Sequence, residues 1–160
     1  MSQVSQQSIE KAISKIDGLS EEALDLLIET YTLGQQDLVN YILQAGIEYE
    51  NEDLNIYGIY YFAIICEAFV QEGLKLKSIS EEEIDEFQEP FLIALDAIHK
   101  DENYKPMQEL ITQFNLQEFM VAEIEAKDEE GEELDDETKT QLFVVSTAII
   151  GLLNEAVISK

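Results

Sequence analysis

The chain has 160 residues, 35 of them acidic and nine basic, and every base is a lysine, so its formal charge at pH 7 is −26. A charge of that sign repels nucleic acid and anionic membrane and excludes direct binding to either, while the lack of arginine disfavours bidentate recognition of phosphate or carboxylate. With one cysteine and one histidine the chain has no internal disulfide and no ligand set for zinc.

A chain of this length defaults to one domain and buries about 70% of the surface its unfolded form exposes. Its opening, MSQVSQQSIEK, has no secretory apolar core. Neither apolar run reaches the roughly 18 residues of a membrane span. Cys66 lies in the most apolar stretch, which fits a reducing compartment and core packing. The expected location is the cytoplasm.

Taken in order, Ile9, Ala12, Ile13 and Ile16 predict a short first helix ended by Asp17 and Gly18. Ser20, ahead of Glu21 and Glu22, supplies an N-cap and two acids at the positive end of a second helix. Its expected buried stripe is Leu24, Leu27, Ile28 and Tyr31, and Gly34 is its stop. A third helix carries Leu38, Ile42, Ala45 and Tyr49 on one face and ends in the acidic turn from Glu50 to Asp53.

The stretch from Leu54 to Gly73 is uncharged between Ile56 and Cys66 and contains Tyr57, Tyr60, Tyr61 and Phe62. A helix with no polar face over three turns must be surrounded by other helices, so this one is expected at the centre. Gly58 costs about 1 kcal/mol relative to alanine. It reads either as a tolerated glycine or as a close approach by another backbone.

Leu74 to Ser78, with Lys75 and Lys77, reads as a loop. Ser80 and Glu83 form a capping box ahead of a fifth helix, with Ile84, Phe87, Phe91, Ala94 and Ile98 facing the core and Glu82, Glu86, Glu89 and Asp96 facing away. Pro90 predicts a kink or break near Gln88. Lys105-Pro106 opens a sixth helix, with Met107, Leu110, Ile111 and Phe114 on one face. Its continuation would put Glu118 into the apolar stripe, so a restart at the pair Asn115 and Glu118 is expected, with Phe119, Met120 and Ile124 on the next face. Asp128 to Glu137 reads DEEGEELDDE and is expected to be a solvated, mobile loop. A last helix, 138–158, contains the run QLFVVSTAIIGLLN and is the natural partner of the central one. No segment alternates with period two, which argues against a sheet. The expected fold is all-α: one domain of about seven or eight helices, with the two apolar helices, about 54–73 and 138–158, in the middle.

Elimination governs the chemistry. Asp96 and His99 are spaced i, i+3, but a di-iron bundle needs a second such motif, and no second histidine exists. His99 therefore reads as a residue favourable to a helix C-terminus. Aligning Gly131 with the sixth position of an EF-hand loop puts Ala126 at position 1 and Glu133 at position 8, and the pattern fails. There is no G-x-S-x-G and no glycine-rich phosphate loop. No cofactor or metal is expected, and the sequence leans away from an enzyme, although a carboxylate pair acting as acid and base stays open as an alternative.

What remains is binding: a non-enzymatic interaction module that offers an acidic surface, or a groove between helices, to a basic protein. The narrower alternative is an inhibitor or immunity-type protein that mimics nucleic acid, and the plainest is acidity that serves solubility alone. The residues expected to carry the interaction are Glu82, Glu86 and Glu89 on the fifth helix and Asp128, Glu129, Glu130, Glu132, Glu133, Asp135, Asp136 and Glu137 in the loop.

Overall fold

Eight helices occur among the described residues, 3–128 and 130–159, of the computed structural model: α1 (Gln6–Asp17), α2 (Glu21–Gly34), α3 (Gln36–Glu48), α4 (Glu52–Gln71), α5 (Glu81–Asp101), α6 (Lys105–Leu110), α7 (Phe114–Glu125) and α8 (Asp136–Glu155). The fold is all-α, and α4 is its axis, packed against α1, α2, α3 and α8. Phe62, Ile65 and Phe69 of α4 and Leu142, Ile149 and Leu152 of α8 lie in one buried cluster. Each such side chain stabilises the fold by about 1.5–3 kcal/mol through burial. Helix α6 packs on α5, and α7 on α8.

Local signals act where they were read. Ser20 accepts from the Ala23 amide, and Ser80 and Glu83 make both bonds of the capping box. Long-range polar contacts close the bundle. Glu72 Oε1 accepts from the Ser5 amide and the Ser8 hydroxyl, both at 2.8 Å, which ties the start of α1 to the end of α4. The Val4 amide donates to Gln113 Oε1, whose amide nitrogen donates to Asn154 Oδ1 at 2.8 Å, so the N-terminal segment, the α6–α7 junction and α8 share one polar chain.

Several expectations are corrected. The central helix is not enclosed along its whole length: Ile56 is 69% exposed, and Tyr57, Tyr60 and Tyr61 are half-buried. It does have the length and hydropathy of a membrane span, although more than half of the qualifying window is buried within the protein. Gly58 is approached by a side chain, because a Cβ there would lie 2.8 Å from Ile42 Cγ2. No residue of α2 is fully buried, and Leu26 and Leu33 are more than 60% exposed. Tyr49 is exposed and caps α3 instead of facing the core.

The loop after Gly73 contains a strand, β1 (Lys75–Leu76), which pairs antiparallel with β2 (Val157–Ser159). Helix α8 therefore ends at Glu155 and not at Ile158. Gly73, at φ +83°, turns the chain out of α4, a conformation that glycine adopts without a Cβ penalty. Helix α5 runs through Pro90 without a break. Both Pro90 and Glu86 are exposed, so water can reach the carbonyl that the missing N–H leaves without a donor. The restart after α6 falls at Phe114, with Gln113 as N-cap, and the Asn115 side chain donates to the Val4 carbonyl instead of capping. Asp135 caps α8, and Asp136 and Glu137 are its first turn, so the acidic loop is shorter than expected.

Candidate functional site

Burial, partners and position sort the acidic residues. Glu82, Glu86 and Glu89 lie exposed along α5 with no side-chain partner among the described residues. Glu155, at the end of α8, extends this stripe. Partial desolvation and the charges of Glu83 and Glu86 raise its carboxyl above the usual range.

The loop acids divide. Asp128 accepts from the amides of Glu130 and Glu132, both at 2.9 Å, and Asp135 accepts from the Thr138 amide at 2.7 Å, so these two carboxylates hold the backbone. Glu133 is engaged by Lys139 at 2.8 Å, and Lys139 also reaches Glu125 at 3.1 Å. Glu137 accepts from Gln141. Glu130, Glu132 and Asp136 are exposed, with no side-chain partner among the described residues. Glu129 lies outside the described residues. The structure therefore does not gather the predicted acids into one site. Asp128, Glu132 and Glu133 do line a concavity of about 340 Å³ with Tyr57, Tyr61 and Glu123. There the Tyr61 hydroxyl donates to Glu123 at 3.3 Å. Burial and the neighbouring Glu123 raise the Tyr61 pKa, which keeps the hydroxyl protonated.

Two features escaped the sequence reading. The first is Glu67, whose side chain is fully buried in α4. Its Oε1 accepts from the Tyr31 hydroxyl at 2.6 Å and from Lys15 Nζ at 3.0 Å, and its Oε2 accepts from Gln71 at 2.8 Å. Burial opposes its ionisation, but the donated hydrogen bonds and the Lys15 charge prevail and hold its carboxyl below the usual range. This network joins α1, α2 and α4. Beside it, burial and the Glu67 charge push the Cys66 thiol up, so it stays protonated.

The second feature is an apolar groove between the α6–α7 arm and the ends of α5 and α8. It has two overlapping lobes of about 390 and 420 Å³, which share Ile98, Tyr104, Val121 and Phe143. Tyr104, Phe114 and Val121 on its walls are about half exposed. Glu118 and Glu125 stand on the α7 side, and Lys139 closes one end between Glu125 and Glu133. The only sequence signal was Glu118, which broke an otherwise apolar stripe.

His99 is exposed in the last turn of α5, and Asp96 pairs with Lys100 at 3.7 Å. Among the described residues no group of three or more His, Cys, Asp or Glu side chains is placed to hold a metal ion. Comparisons of the chain with protein-family models, curated proteins and solved structures gave no match.

Proposed function

We propose that this protein is a non-enzymatic interaction module whose acidic surface binds a basic protein in the cytoplasm. The supporting observation is the run of exposed, unpartnered carboxylates Glu82, Glu86 and Glu89 along α5, continued by Glu155 on α8. Carboxylates that neither cap helices nor pair with lysines leave their field open to solvent, where it accelerates encounter with a cationic partner and weakens with salt. The unpaired, buried Cys66 suits a reducing compartment.

The test is affinity capture from the source cell at low and physiological salt, using the wild type and the triple variant Glu82→Gln, Glu86→Gln, Glu89→Gln. Basic proteins released by salt and retained more weakly by the variant are the expected result. Capture that ignores both salt and the variant would overturn the reading. Added DNA that competes with the captured partner would select the nucleic-acid mimic among such modules.

A further inference from the structure

We infer that the groove between the α6–α7 arm and the ends of α5 and α8 receives an amphipathic helix with basic residues along its flank, supplied by another protein. The inference rests on the reading of this protein as a module for basic partners and adds to the acidic stripe of α5 an apolar groove in which such a partner docks a helix.

Six residues of α7 line the groove, and the four exposed ones form its wall. Phe114, Glu118, Val121 and Glu125 are spaced four, three and four apart, so they share one face of the helix and alternate apolar with acidic. Phe114 and Val121 are 52% and 47% exposed, and Tyr104 across the groove is 53% exposed. Exposed apolar residues gathered over a concave floor, here Ile98 and Phe143, mark a surface that gains by being covered.

The wall selects its occupant by backbone chemistry and by charge. An occupant lying on a mostly apolar surface finds few partners for its own amides and carbonyls, and among the described residues no strand residue lines the groove. A helix satisfies those groups internally, whereas an extended segment would leave them unpaired. Helix α7 has 12 residues and spans about 18 Å, which matches about three turns of a docked helix. Glu125 is already engaged by Lys139, but Glu118 stands exposed on the wall with no side-chain partner among the described residues, and within a chain of charge −26 it favours lysine or arginine beside the occupant's apolar stripe. The same charge disfavours a second copy of this chain.

The probe is a labelled synthetic helix of leucine and lysine with the leucines at i, i+3 and i+4 spacing, read by fluorescence anisotropy against the full chain. Two control peptides keep its length: one replaces lysine by glutamate, and the other carries a central proline. Binding of the basic helix should weaken by about tenfold or more with either control, and likewise for the double variant Phe114→Ser, Val121→Ser, whose side chains are half exposed and whose fold is checked by circular dichroism. Glu118→Gln should flatten the salt dependence of binding. Failure of the basic helix to bind, or equal affinity for the proline control or for the double variant, would overturn the inference. In the last two cases the acidic-surface reading survives, because a cationic peptide would still be held. Dimerisation abolished by the double variant would also overturn it, since the groove would then belong to a second copy.

Discussion

The Tyr31 hydroxyl of α2 donates a 2.6 Å hydrogen bond to the buried carboxylate of Glu67 in α4. This contact anchors a helix that has no fully buried residue of its own. Glu67 also accepts from Lys15 of α1 and from Gln71, so one side chain links three helices. Losing one partner of a buried charged network leaves the others without compensation, and Glu67→Ala should cost about 3 kcal/mol.

Because folding lowers the Glu67 pKa, its contribution to stability has a defined pH window. It is fully present above the unfolded-state value of about 4.3 and is lost as pH falls through the lower folded-state value. The difference in stability between wild type and Glu67→Gln, measured by denaturant titration from pH 7 to 2, should therefore be constant at neutral pH and shrink below about pH 4.3. Tyr31→Phe, by removing a donor to the ionised form in the folded state, should leave the onset in place and make the loss smaller and complete at a higher pH. A difference that grows on acidification would contradict the assignment.

Net charge sets a second expectation. Thirty-five acids face nine lysines, and the ion pairs leave most carboxylates uncompensated. Melting temperature should rise between low and physiological ionic strength as salt screens repulsion over about 10 Å. A flat or falling trend would mean that the pairs outweigh the repulsion.

Two helix-internal substitutions should act in opposite directions. Pro90→Ala restores an amide donor in the uninterrupted α5 and should stabilise the protein by about 1–3 kcal/mol. Gly151→Ala has the same propensity advantage, but its Cβ would lie 2.5 Å from Ile111 Cδ1 and 2.8 Å from the Phe87 ring. Both neighbours are buried, so overpacking by about 1–3 kcal/mol should exceed the gain. Thermal denaturation of the two variants separates these outcomes, and a stabilised Gly151→Ala would show that the contact relaxes cheaply.

Helix type, the N-caps Ser20 and Ser80, the core face of α5 and the burial of Cys66 were determined by the sequence alone, because each depends on residues within a few positions of one another. The tertiary structure decided what depends on distant partners. Glu67 reads locally as one acid ending an apolar run, and it is a buried hub only because Tyr31 and Lys15 arrive from 36 and 52 residues away. Lys75 and Leu76 are too short a strand to alternate, and their partner is the far end of the chain. Glu118 read as a charge that would intrude on the face of Met107, Leu110, Ile111 and Phe114, and it becomes part of a groove wall with Phe114, Val121 and Glu125 once α6 stops at Leu110 and α7 restarts beside the ends of α5 and α8. Periodicity records which face of a helix is apolar, whereas the packing of the other helices decides whether that face is covered.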